Sequence, residues 1–127
     1  MHICLDIDDT ITYCPEFFSK ISTAFEEARM SIVTFREERS STEDYLKSVH
    51  IRYDQLVLSS DPVLGKSPDQ SLAEWKAGFV NSTKPDLFFE DMPEVIALID
   101  SGILVFMACD EVIREWIANQ LRPPEKP

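Results

Sequence analysis

The stretch Ile3-Cys4-Leu5-Asp6-Ile7-Asp8-Asp9-Thr10, "ICLDIDDT", sets three carboxylates at the end of a short apolar run almost at the start of the chain. An apolar run this short that ends abruptly in polar residues fits a strand buried on both faces, as in a parallel sheet. The acids then fall where the strand gives way to a loop. Two unit charges about 4 Å apart repel by roughly 1 kcal/mol in water and about 4 kcal/mol at an effective dielectric near 20. Something must hold these charges together.

Outward from that stretch, strand and helix signals alternate. Pro15 suits the first position of a helix, and Phe17, Phe18, Ile21, Ala24, Phe25 and Ala28 repeat at helical spacing to about residue 30. A second strand is expected over 31–35 ("SIVTF"). A helix then opens on a capping box of Ser40 and Glu43 and carries Tyr45, Leu46 and Val49. Residues 55–59 ("QLVLS") read as a third strand, followed by turn signals at Asp61-Pro62 and Gly65-Lys66. Ser67 and Gln70 flank Pro68 as a second capping box, ahead of a helix with Leu72, Trp75, Phe79 and Val80 on one face. Leu87 to Phe89 is the fourth strand, Pro93-Glu94 opens a helix with Val95, Ile96, Leu98 and Ile99, and 103–108 ("ILVFMA") is the fifth strand. Val112, Ile113, Trp116, Ile117 and Leu121 stripe the last helix, which "RPPEKP" cannot continue, so 121–127 is expected to fray.

Five strands alternating with five helices predict one α/β domain over residues 1–127, a three-layer Rossmann-like fold with a central parallel sheet covered on both faces. A chain of 127 residues can bury roughly two thirds of its unfolded surface and stand without staples. Cys4, Cys14 and Cys109 are an odd count with neither CxxC nor Cys/His spacing, so neither a disulfide framework nor a zinc site is suggested and buried or half-buried free thiols are expected. Neither an anchor nor a signal peptide is legible, and a soluble, cytoplasmic protein is expected.

The chain holds 23 acidic and 12 basic residues, a net charge of −11, with no Lys/Arg cluster to track a phosphate backbone. General nucleic-acid binding and membrane attachment are not expected. An anionic ligand would need positive charge supplied locally, by a metal ion or a well-placed lysine.

Ligands of such sheets bind beyond the carboxyl ends of the strands. There the sequence puts Asp6, Asp8 and Asp9 after the first strand, Thr34 in the second, and Glu90 and Asp91 after the fourth. Carboxylates converging with a hydroxyl make a hard-oxygen magnesium site with room for a phosphate. Lys76 lies beside the apolar face of its helix, with Leu72, Phe79 and Val80 as helical neighbours, and could reach the sheet edge. Each residue also has a plainer reading. Asp91, Pro93 and Glu94 spell an ordinary helix start with Asp91 as N-cap, Thr34 suits a strand, Asp9 and Thr10 could only turn the loop, and Lys76 could snorkel to solvent.

A strand followed by DxDxT (Asp6-Ile7-Asp8-Asp9-Thr10), a strand ending in threonine ("IVTFR"), a helical lysine, and a strand ending in acids ("DLFFED") together resemble the haloacid dehalogenase-like hydrolases over about residues 2–121. The resemblance implies Asp6 as nucleophile, forming an aspartyl-phosphate, and Asp8 as general acid and then base. It implies magnesium between the Asp6 carboxylate, the Asp8 main-chain carbonyl and Asp91, with Thr34 and Lys76 holding the phosphoryl group. Lys66 in "GKSPD" is a second candidate for the lysine, and Glu90 a further candidate at the metal.

Family members with a cap domain insert it after the first or third strand, and neither place has room here, so a capless member is implied. Its site would be open to a phosphorylated small molecule or an exposed phosphate on a larger substrate, unless a second subunit or the "TYCPEFF" segment covers it. The leading expectation is a magnesium-dependent phosphatase. The alternatives are a catalytically silent module binding magnesium or phosphate for a partner, and a receiver-like phospho-acceptor. Asp6 is expected to be an exposed loop carboxylate that contributes nothing to the core.

Overall fold

All five apolar runs form strands in the computed structural model, which describes residues 1–123. They are β1 (His2–Leu5), β2 (Arg29–Thr34), β3 (Gln55–Leu58), β4 (Leu87–Glu90) and β5 (Leu104–Met107), all parallel, in the spatial order β3-β2-β1-β4-β5. The helices are α1 (Pro15–Ala24), α2 (Arg39–Ser48), α3 (Leu72–Thr83), α4 (Pro93–Ile96) and α5 (Glu111–Leu121). This is the expected α/β, Rossmann-like architecture. The chain builds outward from β1 to β3, then returns to the other side of β1 for β4, so strand order reverses between β1 and β4. Leu5 stands opposite Ile32 on one side and Phe89 on the other, which brings the ends of β1, β2 and β4 together.

Side chains of successive strand residues point to opposite faces, and the sheet therefore has two cores. Ile3, Leu5, Met30, Ile32, Leu56 and Leu58 pack with Phe18 of α1 and Leu46 of α2. Cys4, Val33, Val57 and Phe88 pack with Trp75 and Val80 of α3 and Val95 of α4. Lys76 follows Trp75 directly, so the packing that seats the tryptophan also sets the lysine near the sheet.

Several boundaries differ from the sequence expectation, each for a local reason. Helix α1 stops at Ala24 instead of near residue 30 because the Arg52 guanidinium takes the carbonyls of Ser22 (2.7 Å), Phe25 (3.0 Å) and Ala28 (2.9 Å). Helix α2 is capped by Glu38, whose carboxylate accepts the N–H groups of Ser40 (3.1 Å) and Ser41 (2.6 Å), not by Ser40; Glu43 pairs instead with Arg39. The capping box of α3 is Ser71 with Glu74, while Ser67 and Gln70 bond within the preceding turn. Helix α4 is a single turn, and α5 buries no residue. Cys4 is buried as expected, but Cys14 and Cys109 are exposed.

Residues 59–71, between β3 and α3, contain no helix or strand and turn tightly at Gly65, where a Cβ would fall 2.1 Å from the Asp61 carbonyl oxygen. Among the described residues no helix is long and apolar enough to cross a membrane. The expected fraying at 121–127 lies largely outside the described residues, since α5 runs through Leu121 and the structure is described to 123.

Candidate active site

The Asp6 N–H donates to the Phe89 carbonyl at 3.0 Å, carrying the β1–β4 ladder one residue past the strand and fixing where the side chain starts. That side chain is buried, not exposed as expected: Asp6 is 4% accessible. Its Oδ1 accepts from Lys76 Nζ at 2.6 Å and its Oδ2 from the Thr10 hydroxyl at 3.1 Å. The loop folds back to allow this, with the N–H groups of Thr10 and Thr12 both on the Ile7 carbonyl and Asp9 in the left-handed region at φ 62°. Asp9 is exposed.

Lys76 does not snorkel. It is 1% accessible, and its ammonium also donates to Glu90 Oε1 at 3.0 Å while lying 4.4 Å from the centre of the Phe35 ring. Burial alone would lower its pKa, but the charges and hydrogen bonds of Asp6 and Glu90 more than offset that and raise it, so the ammonium stays charged. Lys66 lies elsewhere, donating to the Ser67 carbonyl at 2.9 Å.

Glu90, the last residue of β4, is fully buried, with both carboxylate oxygens engaged. Oε1 holds Lys76, and Oε2 accepts the N–H groups of Asp91 (3.0 Å) and Met92 (3.2 Å). Burial pushes its pKa upward against the pull of Lys76. Asp91 is not the N-cap of α4; Met92 holds that position, without a side-chain cap. Asp91 turns inward instead, 6% accessible, and oxygens of Asp6, Glu90 and Asp91 lie within 4.8 Å of one another. Burial first, and then hydrogen bonding to Asp6 and Glu90, pushes the Asp91 carboxyl up to about 9, so it keeps its proton at neutral pH.

Thr34 ends β2 fully buried, its hydroxyl accepting the Arg36 N–H at 3.1 Å. Asp8 is exposed and held from the side by Arg36, with Nε on Oδ2 at 3.0 Å and Nη2 on Oδ1 at 2.8 Å. The Asp8 side chain is therefore not in the group formed by Asp6, Glu90 and Asp91. Sequence reasoning gave no role to Thr10, Phe35 or Arg36 and left Glu90 open. The side chains of Thr34, Phe35 and Arg36 meet a backbone amide, Lys76 and Asp8 in turn, contacts that the sequence pattern alone does not signal.

Lys76 pairs with Asp6 and Glu90, and the third buried carboxyl beside them, Asp91, keeps its proton when no cation is bound. An all-oxygen donor set of this kind suits a hard cation. Asp6, Glu90 and Asp91 together form the cluster that could hold a metal ion, and the oxygens of Asp6 and Glu90 are meanwhile engaged by Lys76, Thr10 and the β4–α4 amides.

No protein-family model and no curated protein sequence matches the chain. Among solved structures, a chain of the Pnkp1/Rnl/Hen1 complex matches at 14% identity with a TM-score of 0.63, over 84% of this chain and 45% of that one. This chain thus spans less than half the length of its structural neighbour, and at such identity the two share a parallel α/β fold.

Proposed function

We propose that the chain is a magnesium-dependent phosphatase of the haloacid dehalogenase-like kind, hydrolysing a phosphomonoester through an aspartyl-phosphate on Asp6. The observation that carries the reading is the buried Asp6 carboxylate at the strand-order reversal, 2.6 Å from a lysine ammonium and grouped with Asp91. A phosphoryl group in transfer spreads negative charge over its oxygens, so its catalysis is chiefly positioning and cationic stabilisation. Without cations, Asp6 would be an anion approaching an anion.

In the first step an Asp6 oxygen bonds to phosphorus, the bond from phosphorus to the leaving oxygen breaks, and the Asp8 carboxyl gives that oxygen its proton. In the second, water attacks phosphorus, Asp8 takes the water proton, and the bond from phosphorus to Asp6 breaks, releasing inorganic phosphate and restoring both aspartates. Lys76 and the Thr34 hydroxyl hold the phosphoryl oxygens. Bound between Asp6, Asp91 and the Asp8 main-chain carbonyl, magnesium would neutralise charge on the nucleophile and on the phosphoryl group. Glu90 positions Lys76. A cleft of about 360 Å³ beside Asp91, walled by Met92, Pro93, Ile113 and Trp116, gives the leaving group room.

The test is hydrolysis of p-nitrophenyl phosphate with magnesium, with excess chelator, and by Asp6→Asn. Turnover is expected for wild type with magnesium alone, with circular dichroism showing Asp6→Asn folded. Activity that survives chelation or Asp6→Asn would refute the mechanism. Because Arg36 occupies both Asp8 oxygens, a second reading is a module that binds magnesium and phosphate without turnover; it predicts magnesium-dependent phosphate binding and no hydrolysis.

A further inference from the structure

The segment after β2 carries a cation that the reaction above does not use. Arg36 is anchored by its backbone, its N–H on the Thr34 hydroxyl at 3.1 Å and its carbonyl accepting from Ser59 Oγ at 3.4 Å. Its side chain is free by comparison. The guanidinium lies 5.0 Å from the centre of the Tyr45 ring, a surface along which a planar cation can slide, and grips Asp8 with two hydrogen bonds. While that grip lasts, neither Asp8 oxygen is free to exchange a proton with a leaving group or a water.

The two ion pairs at the site differ in kind. Lys76 is sealed between Asp6 and Glu90 with side-chain exposures of 1%, 6% and 0%. Arg36 and Asp8 retain 28% and 55% of theirs. An ion pair partly open to water is easier to separate than a sealed one, and on meeting a phosphate the guanidinium exchanges its two charge-assisted hydrogen bonds to Asp8 for two to an acceptor of greater negative charge. Arg36 is the cation that can move at little cost.

We propose that the Arg36–Asp8 pair is a latch opened by the substrate's phosphoryl group: Arg36 transfers its two N–H donors from Asp8 to phosphoryl oxygens, adding a second cation to that of Lys76 and freeing Asp8. The inference rests on the phosphatase reading for the role of the freed Asp8, but the transfer of Arg36 can be observed without turnover. It assigns Arg36 to phosphate binding and makes proton exchange by Asp8 conditional on an occupied site.

The probe is inorganic phosphate with magnesium, added to the full chain labelled with ¹⁵N-arginine. The Arg36 Nε–H resonance, assigned by its loss in Arg36→Lys, is expected to shift on phosphate addition and to lie away from its wild-type free position in Asp8→Asn before phosphate is added. Arg36→Ala should weaken phosphate binding roughly tenfold or more and raise KM for p-nitrophenyl phosphate by a similar factor. Arg36→Lys should recover part of the binding, since a point charge survives without the bidentate fork. If the resonance stays in place when phosphate binds, or if Arg36→Ala lowers kcat with phosphate affinity and KM unchanged, Arg36 is a fixed clamp on Asp8 and the latch is wrong. Phosphate binding that moves Arg36 in a protein without turnover would sink the phosphatase reading and leave the latch standing; turnover with a fixed Arg36 would do the reverse. Failure of the wild type to bind phosphate would overturn the latch and leave the phosphatase reading to the hydrolysis test.

Discussion

At the scale of single residues, Lys76 links stability to the proposed chemistry. Its ammonium is the positive partner of two buried carboxylates, and burial has already stripped those charges of water. Lys76→Met keeps much of the side-chain volume but leaves Asp6 and Glu90 facing each other unpaired, and should cost about 3–5 kcal/mol of unfolding free energy. Lys66→Ala should cost less than about 0.5 kcal/mol, since the Lys66 ammonium reaches the adjacent carbonyl of Ser67 and the substitution leaves its backbone hydrogen bond to Ser59 in place. Urea unfolding of the two variants checks this, and near-equal losses would contradict it. In turnover, Lys76→Met should abolish hydrolysis and Lys66→Ala should preserve it. The sequence already offered the choice between the two lysines, because a lysine beside the apolar face of a helix is visible as spacing. What it could not display is that Asp6 and Glu90, far apart in the chain, converge on the ammonium and make burial tolerable. Arg36 stayed hidden for a related reason: an arginine in a charged run after a strand reads as a solvated loop until its partner, Asp8, is found in space.

At the scale of elements, strands were more legible than helix ends. Strands β1, β2 and β3 are apolar runs largely buried on both faces, and that burial is written in the run itself, while the edge strand β5 keeps the apolar run with Leu104 and Phe106 exposed. Helix ends depend on which nearby group satisfies the free amides and carbonyls, and several candidates compete. Around α2, Ser40 and Glu43 fit the capping pattern, yet Glu38 wins by accepting both the Ser40 and Ser41 amides. That choice carries a pH signature. Hydrogen bonds from Ser41 chiefly, by side chain and backbone, lower the Glu38 pKa below its ordinary value of 4.5. A carboxylate whose folded pKa is depressed adds stability above its unfolded pKa and loses it as pH falls through the folded one. Glu38→Gln should therefore destabilise the protein near neutrality, with the deficit shrinking as pH falls below the ordinary glutamate value and wild-type Glu38 protonates. Denaturation curves of both proteins across that range measure the convergence; a deficit independent of pH would mean that the cap works through its shape alone.

At the scale of the whole molecule, the alternation of strands and helices specified the class of fold, but the strand order came from long-range packing. The reversal between β1 and β4 brings Asp6 beside Glu90 and Asp91, and this convergence turns separate acids into a group that could hold a metal ion. A cation bound only by the folded chain stabilises it by mass action, by about 2.7 kcal/mol at a hundredfold excess over Kd. For a chain of 127 residues that corresponds to a rise in Tm of roughly 10 °C. Magnesium should raise the wild-type Tm on that scale, and excess chelator should return it to the starting value. Asp91→Asn should remove the rise, because a neutral amide cannot replace an anionic ligand. In chelator the same variant should be at least as stable as wild type, since its amide can donate much as the protonated Asp91 carboxyl does, while one titratable group leaves a crowded acidic cluster. That pair of opposite effects separates loss of a ligand from general damage to the fold. A variant destabilised equally with and without magnesium would place Asp91 in the structural core and not at a cation site.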